Sequence, residues 1–268
     1  MRVIGVGDNT VDKYLHLGKM FPDGNAVNVA IYAKRFGHPS SYLGWIGNDS
    51  HGQLIRRSLK EEGIDLTHIR LVEGENAFCE ISLKDGDRVF GNFSEGVCGQ
   101  ILLTEEDYIF ISSHDLTHTS VYSFIEPFME KLSAASQTLS FDFSQEWDEK
   151  YLKKNLPFVD IAILSSNAEK LEENKELMEW AHTLGPRIVL MTGGKEGALL
   201  YDGQAFFKQT PIKTTKLVDT LGAGDAFAAR FILDYLSGIE IHAALANAAK
   251  TAAEKCAYFG AFGHGIQL

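Results

Sequence analysis

The chain has 268 residues, of which 45% are hydrophobic and 23% are charged, which is typical of a globular protein large enough for one α/β domain. Its formal net charge of −11 argues against a nucleic-acid partner, because such binding needs Lys and Arg to release counterions from phosphates. Cys79, Cys98 and Cys256 are widely spaced without a C-x-x-C pattern, which predicts a reducing cytoplasm and neither a disulfide framework nor a zinc site. No run of about 18 apolar residues occurs, and residues 2–7 are too short for a signal peptide, so no membrane association is expected.

The first predicted strand is the apolar run at residues 3–7, which leads into the polar sequence G-D-N-T-V-D at residues 7–12. Ligands collect at the carboxyl ends of strands in open α/β sheets, so Asp12 is a candidate binding residue. A turn-capping role is the alternative for this aspartate. A dinucleotide-binding fingerprint is disfavoured, because the G-x-G pair at residues 5–7 lacks the third glycine and the helix of that motif.

A glycine turn and a helix are predicted next, starting with the sequence G-N-A-V-N-V-A at residues 24–30. Apolar residues recur at helical spacing between residues 26 and 33, which predicts a stripe that faces the core. Residues 41–47 predict a second strand. Asp49 or Ser50 then caps a helix that ends at Gly63.

The pattern changes at residues 77–93, where alternating side chains flank an Asp-Gly pair and predict a β-hairpin. A hairpin inserted into an α/β pattern is an appendage to the main sheet. Arg88 lies on this hairpin and Glu95 follows it, so both are candidates for contact with a ligand. The alternative is that they are solvated charges that protect a strand edge from unwanted pairing.

From about residue 104 onwards, predicted helices and strands alternate as they do in doubly wound α/β folds. The strands are expected near residues 115–118, 138–143, 159–164 and 187–191. This order predicts a mostly parallel sheet with helices on both faces. His118, at the end of one of these strands, either lines the site or is an ordinary core histidine.

The sequence D-T-L-G-A-G-D at residues 219–225 stands where a turn becomes a helix. The first N–H groups of a helix lack intrahelical partners and its dipole leaves that end partly positive, so a phosphate can be held there. Asp225 would repel a phosphate unless it served as the base toward an attacking hydroxyl. A helix cap without chemistry is the alternative.

Residues 219–225 resemble the C-terminal signature of the ribokinase-like (PfkB) family of sugar kinases, and residues 24–30 resemble its N-terminal signature. The resemblance extends over nearly the whole chain. It implies a single ribokinase-like domain at 1–268, with a small β lid from strands at about 11–23 and 77–93. It also implies a homodimer through the lid.

In this family the γ-phosphoryl group of ATP is transferred to a sugar hydroxymethyl group, and the resemblance implies ATP, Mg²⁺ and K⁺ as cofactors. The implied catalytic residues are the base and the turn that holds the phosphoryl group: Asp225, Gly222, Ala223 and Gly224. The implied sugar-binding residues are Asp12, Gly24, Asn28, Arg88 and Glu95. The implied nucleotide-binding residues are Thr192, Gly194, Gly197, Asn167, Glu169 and Asn247. The implied metal-binding residues are Glu169 for Mg²⁺ and Asp219, with the loop at 258–261, for the monovalent cation.

Some residues depart from the family pattern. Asp23 stands where another glycine is usual, Arg230 replaces a small residue, and Ser144 and Glu146 replace the Asn and Arg of a D-x-N-x-R motif. Within the family, the chain is most similar to members that phosphorylate the C6 hydroxyl of fructoselysine. The alternatives are a ribose, fructose or nucleoside kinase and, from another class, a sugar-binding protein without catalysis.

Overall fold

The computed structural model describes residues 1–84, 87–166, 170–214 and 216–268. The strands of these residues are β1 (Val3–Val6), β2 (Thr10–Tyr14), β3 (Lys19–Asp23), β4 (Ser40–Leu43), β5 (Trp45–Gly47), β6 (Arg70–Val72), β7 (Phe78–Lys84), β8 (Asp87–Ser94), β9 (Leu116–Ser120), β10 (Leu139–Asp142), β11 (Ile161–Ser165), β12 (Ile188–Thr192), β13 (Ala198–Tyr201), β14 (Phe206–Gln209) and β15 (Ile266–Gln267). The helices are α1 (Asn25–Arg35), α2 (Ser50–Glu61), α3 (Glu105–Ser112), α4 (Met129–Ala135), α5 (Glu149–Asn155), α6 (Leu171–His182), α7 (Ala223–Leu236) and α8 (Ile241–Lys255).

Eight strands of the described residues form the main sheet, in the order β14-β13-β12-β11-β10-β9-β1-β4. The six neighbouring strands β4, β1, β9, β10, β11 and β12 pair in parallel, whereas β13 and β14 pair antiparallel. Helices cover both faces of this sheet: α3 to α6 contribute to the core on one face, and α1, α7 and α8 to the core on the other. The predicted doubly wound α/β fold is therefore confirmed.

A small sheet lies beside the main sheet, with its described strands in the order β15-β3-β2-β7-β8. It contains the strands expected near 11–23 and 77–93, and β2 pairs antiparallel with β3 but parallel with β7. Strand β15 was not predicted, because two residues are too few to show a period. Helix α2 packs against one face of the sheet, where Val11 and Met20 meet Leu54. The function of the small sheet as a lid stays a prediction.

The N-termini of α1 and α7 are placed by glycines at which other residues would be strained. Gly24 has a φ of 132°, and a Cβ there would lie 2.6 Å from the Cα of Asn9. Gly222 has a φ of 76°, and a Cβ there would lie 2.6 Å from the Cβ of Ala261. Both helices can therefore begin directly beside the site. In the described part of the chain, no helix is long and apolar enough to cross a membrane.

Candidate active site

Asp225 lies between two asparagines of α1. The amide nitrogen Nδ2 of Asn28 donates to Asp225 Oδ2 and to Asp23 Oδ1, at 2.5 Å each. The amide nitrogen of Asn25 donates to Asp225 Oδ1 and to Asp142 Oδ2, at 2.9 Å each. The carboxylate of Asp225 therefore faces α1 and does not cap its own helix, whose N-cap, Gly222, makes no side-chain hydrogen bond. Asp225 also lies in the first turn of α7, where a negative charge is favourable at the positive end of the helix dipole, so both interpretations stay predictions.

Asn25 is itself held in one orientation by His118. The carbonyl oxygen of the Asn25 amide lies 2.7 Å from Nε2 of His118, whose Nδ1 lies 2.8 Å from Oγ of Ser140. Burial lowers the pKa of His118 to about 3, so the ring is neutral at physiological pH. Because an amide oxygen can only accept, Nε2 carries the proton and Nδ1 accepts from the serine. His118 is thus linked to Asp225 through the side chain of Asn25.

Asp8 fixes the start of α1. Its carboxylate accepts from the backbone N–H groups of Asn25 and Ala26, and from the hydroxyls of Ser120 and Ser123. The carboxylate thereby satisfies the first N–H groups of the helix, which otherwise lack partners. Asp8 therefore places the backbone of Asn25, while His118 orients its side chain.

Burial is the main cause that raises the pKa of Asp225 well above its usual value, and the charges of Asp23 and Asp142 add to it. The pKa of Asp142 is itself raised to about 6, chiefly by burial. A base needs a pKa closer to the operating pH than that of an ordinary carboxylate, and this environment provides such a shift. The geometry and electrostatics of Asp225 therefore suit proton abstraction from a hydroxyl.

The turn before α7 can hold an anion. Gly222 allows the left-handed conformation that lets the helix begin, and the space beside Gly224 is open, since a Cβ added there would meet no atom within 4 Å. The first turn of α7 thus has open space beside Gly224. The N–H of Ala223 donates to the backbone oxygen of Thr220 at 3.2 Å, and the N–H groups at a helix start are the ones that bind anions. Such N–H groups stabilise the charge of a transferring phosphoryl group.

Asp12 and Asp23 form a pair of neighbouring carboxyl groups, which we call the acidic pair. They are diagonal neighbours on one face of β2 and β3, and they are only 4% and 9% exposed. Burial raises the pKa of Asp12 well above its usual value, and Asp23 raises it further by its charge and by a hydrogen bond that needs a shared proton. Among the described residues, Oδ2 of Asp12 and Oδ1 of Asn28 are buried without a hydrogen-bond partner.

Asp219, which the sequence predicted as a ligand of a monovalent cation, lies beside the buried ammonium group of Lys255. Nζ of Lys255 lies 3.0 Å from the backbone oxygen of Asp219 and 3.8 Å from its Oδ2. The carboxylate also accepts from Tyr14 Oη at 2.5 Å and from the N–H of Gly260 at 3.0 Å. The monovalent cation expected at Asp219 stays a prediction, and a fixed positive charge already lies against these oxygen atoms.

The predicted nucleotide-binding residues lie in different places. Thr192 ends β12, and the following loop turns sharply at Gly194 and Gly197, with φ angles of 55° and 90°. A Cβ at Gly197 would lie 2.0 Å from the backbone oxygen of Gln209, so this loop needs glycine. Asn167 and Glu169 lie outside the described residues, as does the side chain of Arg88.

Asn247 donates to Asp234 of α7 at 2.7 Å. Asp234 also pairs with Arg230, whose guanidinium lies 4.9 Å from the ring centroid of Phe36. Arg230 therefore points away from Asp225, as predicted, and packs between helices. The adenine contact expected for Asn247 stays a prediction.

Glu95 follows β8 and is exposed. Asn25, Asp8 and Asp142 were not predicted as site residues. Asp8 and Asp142 could have been found from their positions in the sequence. Asp8 follows β1 and Asp142 ends β10, and the carboxyl ends of parallel strands meet at one edge of a sheet.

An α/β fold in which a helix N-terminus lies beside a carboxyl group of raised pKa is the arrangement expected of a phosphoryl-transfer enzyme. The chain matches the model of the "pfkB family carbohydrate kinase" over residues 3–263. It therefore belongs to the PfkB family and is an ATP-dependent sugar kinase.

Two relatives with assigned activities are similar over almost their full length. The chain is 41% identical to a fructosamine kinase, FrlD, of Bacillus subtilis, covering 99% of this chain and 94% of that protein. It is 35% identical to the fructoselysine 6-kinase of Escherichia coli, covering 96% of this chain and 98% of that protein. Among solved structures, the ribokinase of Arabidopsis thaliana complexed with ribose and ATP superimposes with a TM-score of 0.83 at 20% identity, covering 97% of this chain and 94% of that one. This last likeness shows the fold alone.

Proposed function

We propose that this kinase phosphorylates the C6 hydroxyl of a fructosamine such as fructoselysine, with ATP as the donor. The observation behind the proposal is the acidic pair, Asp12 and Asp23, which is buried beside the base and has no cationic partner among the ion pairs of the described residues. The two relatives named above act on fructosamines or fructoselysine and support the same substrate class.

The chemical match lies in the amine of the substrate. A fructosamine carries a secondary amine at C1, and its protonated form has two N–H groups and one positive charge. Two buried carboxyl groups offer one acceptor to each N–H, and such charge-assisted bonds are the strong ones. Fructose has a neutral hydroxyl at C1 and would leave the pair without a cation, which is costly for buried charge.

The positions of the two carboxyl sites fit opposite ends of one small sugar. Asp23 and Asp225 are separated by a single amide nitrogen, that of Asn28, so they border the same small space. With the amine at the acidic pair, the C6 hydroxyl reaches Asp225. The unpartnered Oδ1 of Asn28 and Oδ2 of Asp12 are then acceptors for the N–H or hydroxyl groups of the ligand.

In the proposed reaction, Asp225 accepts the proton of the C6 hydroxyl while the oxygen attacks the γ-phosphorus of ATP. The N–H groups of Gly222, Ala223 and Gly224 hold the transferring phosphoryl group. We propose the loop of Thr192, Gly194 and Gly197, together with residues 167 and 169, as the nucleotide and magnesium side of the site. Magnesium bound there with ATP would offset phosphate charge.

Two further predictions belong to this proposal. Exposed Glu95 would receive the α-ammonium group of the lysyl part of fructoselysine at the entrance of the cleft. The homodimer would form through β8, the edge strand of the small sheet, where Phe90 and Phe93 are 61% and 72% exposed. Light scattering in solution tests the dimer.

The test of the substrate compares Asp23→Asn with the wild type on fructoselysine and on D-fructose. We expect kcat/KM for fructoselysine to fall about tenfold or more, the size of one lost charge-assisted contact, with fructose turnover little altered. Asparagine keeps the oxygen that accepts from Gly24 and Asn28, so the turn should persist. Glu106→Gln is the matched control, since it removes the same charge from an exposed position on α3.

Two outcomes would contradict the proposal in different ways. If the wild-type enzyme did not turn over fructoselysine, the substrate assignment would be wrong. An equal loss on both sugars in Asp23→Asn would show that Asp23 only supports Asn28, and the amine contact would be wrong.

A further inference from the structure

The ammonium group of Lys255 is buried in an environment of oxygen atoms. The side chain is 0% exposed, and Nζ donates to the backbone oxygens of Asp219 at 3.0 Å and Tyr258 at 3.5 Å. It lies 3.8 Å from Oδ2 of Asp219 and 5.5 Å from the ring centroid of Tyr258. Backbone carbonyls and one carboxylate are the ligands with which proteins surround a dehydrated monovalent cation.

The segments around this ammonium group are the turn before α7, the loop after α8 and the end of α8 itself. Asp219 joins them, because its carboxylate accepts from Leu221 N–H in the turn and from Gly260 N–H in the loop. It also accepts from Tyr14 Oη in the small sheet, and burial raises the pKa of Tyr14, so the phenol stays a donor. One charged centre therefore holds together three parts of the chain.

We propose that Lys255 is a built-in replacement for the monovalent cation that the family resemblance implies, so this kinase needs no potassium to order its phosphoryl site. Both ions have a single charge and bind carbonyl and carboxylate oxygens. They cannot occupy the same position. A tethered ammonium is present in every molecule, whereas a bound ion depends on its concentration.

The consequence for catalysis follows from the path of the chain. Asp219 lies three residues before Gly222, and Gly222 packs against Ala261 of the loop so closely that a Cβ would lie 2.6 Å from the Cβ of Ala261. Fixing the turn against the loop sets the direction of the first N–H groups of α7. Lys255 is therefore a positioning residue, and this role does not depend on which sugar is the substrate.

The first test measures wild-type kcat in potassium, sodium and tetramethylammonium salts at equal ionic strength. The proposal predicts that kcat changes less than about twofold among them. Activation of the wild type several-fold by potassium would overturn it. This measurement needs no variant and cannot be lost to misfolding.

The second test is chemical rescue of Lys255→Ala, which leaves a space where the ammonium group was. In tetramethylammonium salt, kcat should fall about tenfold or more, because the phosphoryl site is misplaced. Potassium should restore activity and should also raise the Tm of this variant, since only a bound ion stabilises the folded state, while the Tm of the wild type stays unchanged.

Two controls separate a cation site from a general packing effect. Lys255→Met fills the space without a charge and should not respond to potassium. Lys250→Ala removes an exposed lysine of the same helix and should behave as the wild type. If potassium raised neither the Tm nor the kcat of Lys255→Ala, or if that variant kept full activity without potassium, the proposal would be wrong.

Discussion

The kinase has two regions of buried carboxyl groups, and they differ in what neutralises them. At Asp219 the protein supplies its own cation, Lys255, and adds three hydrogen-bond donors. At the acidic pair of Asp12 and Asp23, no lysine, arginine or histidine pairs with either carboxyl group in the described part of the chain, and one oxygen of Asp12 has no partner. The difference suggests two uses of a buried carboxylate. One that stabilises the fold, such as Asp219, pairs with a cation of the protein, whereas one that selects a ligand, as proposed for the acidic pair, pairs with a cation of the ligand.

The largest effect on stability is expected from removing the internal cation. Lys255→Met removes the ammonium group that pairs with the buried carboxylate of Asp219, and breaking such a buried pair costs about 3 kcal/mol or more of unfolding free energy. Urea unfolding measures the change. The double variant with Asp219→Asn should recover part of it, because the unpaired charge is then absent. Additive losses in the double variant would contradict a charge pair.

The next effect concerns the base. Asp225→Asn should lower kcat by at least about 10²-fold and leave ATP affinity nearly intact, because a missing base affects the transition state more than the ground state. Single-turnover kinetics and ATP titration separate the two quantities. Turnover like that of the wild type would rule out Asp225 as the base. Asp225 would then not differ in function from the other buried carboxylates.

Proton release distinguishes the two regions directly. Because the pKa of Asp12 is raised by burial and by Asp23, the acidic pair holds a proton at pH values where an ordinary aspartate is ionised. A bound ammonium favours the charged form and lowers that pKa, so fructoselysine should release up to about one proton per site on binding. Calorimetry in buffers of different ionisation enthalpy measures it.

The control is binding of D-fructose, which should release none. The other titratable groups near the pair include Cys79 of β7, Asp219, Tyr14 and Asp225, and none of these brings a positive charge. Equal release with both sugars would mean that closing of the site, and not the amine, displaces the proton.

A smaller effect is expected from Asp142→Asn. The charge of Asp142 raises the pKa of Asp225, and the base works only when ionised, so activity falls as the pH drops through that pKa. Removing the neighbouring charge lowers the pKa of Asp225 and should move the acid limb of kcat to lower pH, by less than about one unit. A limb that stays in place, or moves to higher pH, would contradict the coupling.

The smallest effect is expected at Glu95. The sequence suggested a desolvated contact with the amine, but this residue is exposed, and exposed ion pairs contribute at most about 1 kcal/mol. Glu95→Gln should therefore reduce kcat/KM for fructoselysine about fivefold or less, and the reduction should vanish at high salt. A loss equal to that of Asp23→Asn would place the amine at Glu95 instead.

Much of this could be predicted from sequence, because helix N-termini beside glycine turns have short local signatures, as at Gly222 and Gly24. The acidic pair could not, since Asp12 and Asp23 meet only through the register of β2 and β3. Lys255 was not predicted as a site residue. Its signal was its position on the apolar face of α8, seven residues after Ala248, which is fully buried.

The contact between His118 and Asn25 has a consequence for where the catalytic proton can go. From Asp225 the hydrogen bonds run through the Asn25 amide to neutral His118 and on to Ser140, which donates to the ring nitrogen. An amide does not accept a proton readily, and a histidine with a pKa of about 3 does not store one. This chain of contacts is therefore no proton wire to the interior. With Asp225 as the proposed base, this route gives the proton no exit, so we expect the proton to leave through the open side of the cleft as the product departs.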